Sequence, residues 1–151
     1  MKMPRLLFAS YAKFVPDFGI ATPTAAQRAG ISFEKAVQKK LTFLYPKVEP
    51  GPWLYYKTEK AANICQPDAL VWLTETKICI VECKLTWQAA ARSKLLSLYG
   101  PVVQLIYPEI EVCYLQVYKN AKPGAHKRPL SLYGLDNLKT GKYKECQWIG
   151  L

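Results

Sequence analysis

CQPDALVWLTETKICIVECKLTW, residues 65–87, contains two apolar runs, ALVWL and ICIV, and beside them the charged residues Asp68, Glu82 and Lys84. The two runs predict β-strands joined by the polar turn TETK. Their nearly continuous apolar character is typical of strands that are covered on both faces of a sheet. Charged side chains are rarely buried in such a place unless they are paired or bound to a metal. We therefore expect a partner that stabilises these three charges.

The overall composition is that of one globular domain. The chain has 151 residues, of which half are hydrophobic and about a fifth are charged; this length suits a single core and is short for two. No apolar run approaches the roughly 20 residues that span a bilayer. The apolar stretch near the N-terminus is also too short for a secretory signal. We expect one domain, residues 1–151, located in the cytoplasm.

The five cysteines are predicted to fill the core. They form an odd set in a chain that lacks a secretory signal, which argues against a disulfide framework. A zinc site is also disfavoured, because no CxxC pair is present. Cys79 and Cys83 would lie about 13 Å apart along a strand, whereas zinc holds its sulfur ligands at about 2.3 Å.

The charge balance indicates a polyanionic partner. Lys and Arg number 21 against 11 Asp and Glu, a net charge of +10, and nucleic acid is the commonest polyanion that attracts such a protein. Residues 119–144 contain seven Lys or Arg and a single acid, Asp136. Within them Lys122, Lys127 and Arg128 are predicted to contact phosphates without reading sequence. The alternative is a solvated run of charge.

The first part of the chain predicts one helix and one strand. Residues 1–30 contain three prolines and are expected to be irregular. Residues 30–46 predict an amphipathic helix with Ser32 as its N-cap. Its apolar face comprises Phe33, Val37, Leu41 and Leu44. Residues 48–52 predict a turn and residues 53–59 a strand.

The rest of the chain alternates between strands and helices. The predicted elements are strands at about 64–73 and 78–85, a helix at 87–100 that Gly100 ends or kinks, a helical extension at 101–108, a strand at 109–119, a short helix at 131–138 and a last strand near 144–150. This order indicates an α/β fold with a small mixed sheet flanked by helices. Its core would span about 32–119, between an irregular N-terminal segment and a basic C-terminal segment, 119–151.

The charged residues of the opening segment can converge on one site. Alternate residues of a strand share a face, so Glu82 and Lys84 point the same way, about 7 Å apart. A hairpin that turns near TETK would bring Asp68 beside Glu82. Two half-buried carboxylates repel each other unless a cation intervenes, and Mg²⁺, which prefers oxygen ligands, suits them better than zinc. Lys84 could then hold or activate a water and offset charge developing on phosphorus.

Glu34 is a further candidate for this site. It flanks the apolar face of the first predicted helix, so its side chain could bend toward the sheet. The alternative is that an acid near a helix N-terminus is favoured by the helix dipole alone.

These residues resemble the signature of the PD-(D/E)XK nuclease superfamily. Pro67 and Asp68, thirteen intervening residues, and then Glu82, Cys83 and Lys84 match its PD and ExK motifs on two apolar strands. The resemblance spans Glu34 to about Lys119 and includes the order of elements. It implies a restriction-endonuclease-like αβββαβ core and Mg²⁺-dependent hydrolysis of a phosphodiester backbone, with Mn²⁺ as a substitute.

The resemblance also implies roles for individual residues. Asp68 and Glu82 would bind the metal together with the backbone carbonyl of Cys83, Lys84 would position or activate water, and Glu34 would be the acid of the first helix. Many members carry a Gln on the helix after ExK, where this chain has Lys94. Lys94 is therefore a candidate for nucleic-acid binding, or alternatively a solvated lysine.

The small size favours recognition of nucleic-acid structure over a long sequence. Compact Holliday-junction resolvases and phage-type structure-specific endonucleases of the same superfamily are similar in size, and a homodimer would match a two-fold symmetric junction. Two alternatives are a non-catalytic nucleic-acid-binding module and a partner-dependent subunit with the same fold. The sequence does not distinguish DNA from RNA, or an endonuclease from an exonuclease.

Overall fold

The computed structural model describes residues 4–14, 22–121, 132 and 134–148 of the chain. The strands are β1 Leu6–Tyr11, β2 Lys47–Pro50, β3 Leu54–Thr58, β4 Ala62–Cys65, β5 Ala69–Thr74, β6 Lys77–Thr86, β7 Glu111–Asn120 and β8 Tyr143–Gln147. The helices are α1 Ala25–Leu44, α2 Ala89–Lys94, a π-turn Leu95–Tyr99, α3 Gly100–Ile106 and a 3₁₀ turn Leu135–Asn137. Within these described ranges, no helix is both long enough and apolar enough to cross a membrane.

The N-cap of helix α1 lies eight residues before the predicted one. Thr24, not Ser32, caps it: the Thr24 hydroxyl accepts a hydrogen bond from the Gln27 N–H at 3.1 Å, and the Gln27 side chain accepts one from the Thr24 N–H at 2.8 Å. This reciprocal capping box fixes the start of a helix. The helix passes through Gly30 because the cap lies upstream. Its buried face, Phe33, Val37 and Leu41, is as predicted.

The main sheet is a mixed sheet of five strands, as the sequence indicated. Its order is β2-β5-β6-β7-β8; β2, β5 and β6 pair antiparallel, whereas β6, β7 and β8 pair parallel. The predicted strand at 53–59 does not belong to it. That strand is β3 of a second sheet, and the place in the main sheet is taken by β2, in a stretch predicted to be a turn.

The second sheet contains three antiparallel strands in the order β1-β3-β4. Two expectations were therefore wrong. Residues 1–30 are not irregular throughout, since β1 lies within them. The single strand predicted at 64–73 is divided into β4 and β5, and the chain crosses from one sheet to the other at residues 66–68. Pro67, which lacks a backbone N–H, stands at this break.

The main sheet is covered on both faces, as the apolar runs predicted. On one face α1 packs through Phe33, Val37 and Leu41 against alternate residues of the central strands, among them Val71 and Val81. The opposite face packs against the second sheet and the helices α2 and α3. That second core includes Leu54, Leu70, Ile78, Ile80, Leu95, Tyr99 and Val103. The molecule is thus a mixed α/β fold with a central sheet between two layers.

The helical segment after β6 is continuous from residue 89 to residue 106, and we call it the crossover helix. Gly100 neither ends nor kinks it. A Cβ atom at Gly100 would lie 2.4 Å from the hydroxyl of Tyr114, so close packing requires the glycine. The π-turn also changes the buried face: Tyr99 is 1% exposed, whereas Leu98, which a regular α-helical period would turn inward with Ala91 and Leu95, is only half-buried.

The cysteines behave as predicted. Cys65, Cys79, Cys113 and Cys146 are buried and Cys83 is half-buried, and none of these five described residues forms a disulfide.

Candidate active site

Asp68 lies where the chain passes from β4 to β5, and hydrogen bonds fix it on two sides. Its carbonyl accepts from the Gly51 N–H at 2.9 Å and from the Gln38 side-chain amide at 2.8 Å. Its carboxylate oxygen Oδ2 accepts from the backbone N–H of Cys83 at 2.6 Å. The strand break that the sequence did not predict thus holds the Asp68 carboxylate against β6.

Glu82 lies beside Asp68 with an unsatisfied buried oxygen. In the antiparallel pair of β5 and β6, Ala69 faces Val81, so the next residues along, Asp68 and Glu82, are neighbours. Glu82 is 3% exposed, and its Oε2 atom has no hydrogen-bond partner. A buried acceptor without a partner costs about 1–3 kcal/mol, and more when it is charged. The site therefore favours a cation at this oxygen.

Glu34 approaches the same place from the other layer. Its side chain contacts Asp68 and accepts a hydrogen bond from Gln38 at 3.2 Å. Burial and the Asp68 carboxylate together raise the pKa of Glu34 from 4.5 to about 7. Glu34 lies nine residues after the start of α1, so the dipole at the helix N-terminus does not explain its position.

The raised pKa of Asp68 shows that the carboxyl groups of the site repel one another. Burial raises the pKa of Asp68 well above its usual range, and contact with Glu82 raises it further. The Cys83 N–H and the ammonium of Lys84 act in the opposite direction. The ammonium of Lys84 therefore lies close enough to the Asp68 carboxyl group to lower its pKa.

One cleft of about 630 Å³ brings the predicted residues together. Its lining includes Glu34, Asp68, Glu82, Cys83, Lys84 and Lys94. Three layers of the fold supply these residues. Helix α1 and the crossover helix contribute one each, and the others lie on β6 or directly before β5. The cleft thus combines three carboxyl groups with two ammonium groups at one end of the main sheet.

Lys94 is placed over Glu82 by the π-turn. Its ammonium lies 4.0 Å from the Oε2 atom of Glu82 and 5.3 Å from the ring centroid of Tyr99. A π-turn bonds residues five apart, as in the hydrogen bond from the Gly100 N–H to the Leu95 carbonyl. Lys94 and Tyr99, also five apart, consequently face the same side. An α-helical pattern does not reveal this pairing.

Three further residues support the site without having been predicted. Gln38 binds both Glu34 and Asp68; its spacing of four residues from Glu34 on one helix was the available signal. Gly51 adopts φ +57° in the turn that donates to Asp68. Tyr99 donates from its hydroxyl to the Gln66 carbonyl at 3.1 Å.

The donor set suits a hard divalent cation held by few protein ligands. Among the described residues, no three His, Cys, Asp or Glu side chains form a group that could hold a metal ion, so a metal bound by Asp68, Glu82 and Glu34 together stays a prediction. Mg²⁺ commonly uses only one or two carboxylates and completes its shell with water and phosphate. The unpartnered Glu82 oxygen and the opposed carboxyl groups fit that mode of binding.

The predicted phosphate contacts Lys122, Lys127 and Arg128 lie outside the described residues. Their role stays a prediction.

Comparisons of the chain with protein-family models, with curated proteins and with solved structures found no match.

Proposed function

We propose that this protein is a Mg²⁺-dependent nuclease that hydrolyses phosphodiester bonds in nucleic acid, with structured DNA as its substrate. The observation that carries the proposal is the buried Oε2 atom of Glu82, which has no hydrogen-bond partner and lies beside Asp68 in a cleft that also contains Lys84. The Lys94 ammonium, 4.0 Å away and about half exposed, neutralises this buried charge only in part, whereas a bound divalent cation would satisfy the oxygen directly.

The topology of the main sheet supports the proposal. After α1, the strands β2, β5 and β6 form an antiparallel series, and the crossover helix then leads to β7, which is parallel to β6. This agrees with the αβββαβ order of the PD-(D/E)XK nucleases if β3 and β4 are taken as an excursion into the second sheet. The net charge of +10 supports a polyanionic substrate.

In the proposed reaction, water adds to phosphorus, the bond from phosphorus to the leaving oxygen breaks, and the leaving oxygen takes up a proton. Mg²⁺ bound by Asp68, Glu82 and the Cys83 carbonyl would neutralise phosphate charge and lower the pKa of a bound water. Lys84 orients the attacking water and offsets the charge that develops on phosphorus. Lys94 neutralises Glu82 and also lies open to the cleft, where it can approach a phosphate oxygen.

Glu34 is suited to handling a proton at this site. A carboxyl group with a pKa of about 7 can accept a proton near neutral pH and release it again. The contact between Glu34 and Asp68 places this group beside the proposed metal ligand.

A cleavage assay tests the proposal. The purified protein is incubated with labelled linear, nicked, single-stranded and four-way-junction DNA and with RNA, in Mg²⁺ or in EDTA. We expect cleavage that requires Mg²⁺ and falls at least about 100-fold in Lys84→Ala. The matched control is Lys57→Ala, because Lys57 is exposed on β3, away from the cleft.

The alternatives give different results in the same assay. Binding of a substrate without cleavage in either Mg²⁺ or Mn²⁺ would favour a non-catalytic module. Absence of both salt-sensitive binding and cleavage would favour a subunit that needs a partner. A preference for the four-way junction, together with a dimer mass in solution, would support resolvase-like action.

A further inference from the structure

A second cleft lies on the main sheet next to the proposed active site. It has a volume of about 610 Å³ and is lined by Trp87, Arg92, Tyr143 and Glu145, together with two small residues of α2 and Leu96 of the π-turn. None of these four residues was assigned a role by the sequence. The cleft combines two aromatic rings, a guanidinium group and a carboxylate, which is a polar and aromatic lining suited to a ligand.

The register of the sheet fixes how far the two clefts are apart. Glu82 of β6 faces Gln116 of β7, and Gln116 faces Glu145 of β8. Directly opposed residues of parallel strands point to the same side of the sheet, and neighbouring strands are about 4.8 Å apart. The backbone positions of Glu82 and Glu145 are therefore separated by about 10 Å along one row.

A buried glutamine organises the second cleft. Gln116 is 0% exposed. Its side-chain oxygen accepts from the Gln88 N–H at 2.9 Å, and its amide donates to the Tyr143 hydroxyl at 2.7 Å and to Glu145 Oε2 at 3.3 Å. A fully satisfied buried network of this kind is rigid. The start of the crossover helix is thus fastened to the floor of the cleft.

Glu145 is the acceptor on which this network converges. Its Oε2 atom also accepts from the Trp87 indole N–H and from the Tyr143 hydroxyl, the latter at 3.0 Å. Trp87 is held a second time through its backbone N–H, which donates to the Asn120 carbonyl at 2.8 Å. The indole ring and the carboxylate are therefore positioned before any ligand arrives.

The lining selects for one type of ligand. The half-buried Trp87 and the Arg92 guanidinium, which lies 5.5 Å from the ring centroid of Tyr143, provide flat surfaces for stacking. Oε2 of Glu145 already accepts three hydrogen bonds, so the second oxygen of this carboxylate is the one that meets a ligand. It disfavours a phosphate and favours an amino group as hydrogen-bond donor, as a carboxylate does toward the N4 amino group of cytosine. A nucleobase with an exocyclic amino group has both properties.

We propose that the Trp87–Arg92–Glu145 cleft binds an unpaired nucleobase bearing an exocyclic amino group, next to the phosphate that a metal ion at Glu82 would hold. This inference rests on the proposed nuclease function and deepens it. A base that must leave its stack to enter the cleft is available in flaps, branches and single strands, and not in an intact duplex. The cleft thereby gives the enzyme its preference for structured DNA.

Equilibrium binding of labelled oligonucleotides tests the proposal without cleavage. The probes are single strands of about 12 nucleotides, a length within the range of single-strand sites: oligo-dA, oligo-dC, oligo-dT and an abasic strand of equal charge, measured with Ca²⁺ in place of Mg²⁺. We expect oligo-dA and oligo-dC to bind about tenfold more tightly than the abasic strand. Oligo-dT should be intermediate, because its bases stack but carry no exocyclic amino group.

Variants assign the preference to this cleft. Trp87→Leu should weaken oligo-dA binding about tenfold and leave the abasic strand unaffected, whereas Glu145→Gln should bring the dA and dT affinities closer together. Trp53→Leu makes the same substitution outside both clefts. It should leave the affinities for oligo-dA and for the abasic strand unchanged. If Trp87→Leu does not fold, Arg92→Leu replaces it, since Arg92 is exposed and its loss removes one stacking surface.

The outcomes separate the cleft from the catalytic proposal. Equal binding of all four probes, or variants that weaken abasic and normal strands alike, would overturn the base cleft and leave a structural network. That result would stand even if Mg²⁺-dependent cleavage were observed. Conversely, a base preference lost in Trp87→Leu supports the cleft even if no substrate is cleaved.

Discussion

The ammonium of Lys94 lies 4.0 Å from the Oε2 atom of Glu82, the buried carboxylate oxygen that lacks a hydrogen-bond partner. Lys94 is about half exposed, whereas Glu82 is almost fully buried. The lysine therefore reaches into the site from its solvent side and partly neutralises Glu82. The PD-(D/E)XK nucleases, which the sequence resembles, often carry a neutral Gln on this helix. A positive charge here has consequences for stability and for metal binding.

Replacing Lys94 by Gln should lower the stability of the protein in EDTA. The ion pair is half exposed and its contribution is correspondingly small, about 1 kcal/mol, which corresponds to a melting temperature lower by roughly 3 °C. Mg²⁺ should then stabilise Lys94→Gln more than the wild type, because Glu82 no longer has a neighbouring cation. Thermal melts with and without Mg²⁺ measure both effects.

Lys39→Gln is the matched control, since Lys39 is exposed on α1 and does not line the cleft. Identical melting temperatures of the wild type and Lys94→Gln in both EDTA and Mg²⁺ would show that Lys94 does not act on Glu82.

Deleting Ser97 should leave the fold and the activity largely intact. Ser97 is an exposed residue of the π-turn, and a π-turn in an α-helix amounts to one inserted residue. The deletion changes the spacing of Lys94 and Tyr99 from five residues to four, and residues four apart in an α-helix share a face. Both side chains therefore keep their place over Glu82. Circular dichroism and the cleavage assay provide the measurement.

The comparison is deletion of Ser93, which is also exposed but belongs to the regular α2. This deletion reduces the spacing of the buried Ala91 and Leu95 from four residues to three, with no π-turn between them to absorb the change, and should lower the melting temperature more than the Ser97 deletion does. Equal damage by both deletions would mean that the π-turn is not equivalent to an insertion.

The sequence was sufficient for the central strands and for the charged cluster because both depend on local patterns. The apolar runs around Asp68 and Glu82 predicted β5 and β6, and the alternation of residues along a strand predicted that Glu82 and Lys84 share a face. The carboxyl groups do lie together in one cleft. The alternation of side chains along a strand depends only on neighbouring residues, so it is the same whichever strand it pairs with.

The features that the sequence did not predict depend on contacts between distant residues. Nothing local distinguishes β2 from a turn, since its pairing with β5 makes it a strand. The capping box at Thr24 is an exception, because Thr24 and Gln27 form a local signal that Ser32, followed by Lys35 three residues later, does not match. The π-turn occurs where Tyr99, and not Leu98, fills the core beside Glu82. A regular α-helical pattern does not predict that Tyr99 is the buried residue. The second cleft depends on the pairing of β7 with β8 and was therefore also not foreseen.

The metal-free protein should lose stability as the pH rises. The pKa of Glu34 is raised from 4.5 to about 7, so the folded state binds this proton more tightly than the unfolded state does. Stability is therefore retained below pH 4.5 and falls as the pH rises through the window between 4.5 and 7. Asp68 is shifted in the same direction by burial and by Glu82. Melting temperatures in EDTA at pH 5 and pH 8 measure the fall.

The double variant Glu34→Gln, Asp68→Asn should show a smaller fall between these pH values. Both amides retain an oxygen that can accept the hydrogen bonds from Gln38 and from the Cys83 N–H. Glu59→Gln, an exposed position, serves as the control for removing a carboxylate elsewhere. An unchanged pH dependence in the double variant would contradict the prediction.

Two helical glycines should respond to alanine in opposite directions. Gly30 lies inside α1, and a Cβ atom there would meet nothing within 4 Å. Gly30→Ala should therefore stabilise the protein by roughly 0.5–1 kcal/mol through helix propensity. At Gly100 a Cβ atom would lie 2.4 Å from the Tyr114 hydroxyl oxygen and 2.8 Å from its ring. Gly100→Ala should destabilise by roughly 1–3 kcal/mol, since overpacking outweighs propensity.

Urea denaturation of both variants measures these free energies, provided that the slope with denaturant is unchanged. A second substitution identifies the cause at Gly100: Tyr114→Leu removes the ring that the new methyl group would meet. The Gly100→Ala substitution should therefore cost less in the Tyr114→Leu background than in the wild type. The same cost in both backgrounds would mean that the ring of Tyr114 is not what requires a glycine in the crossover helix.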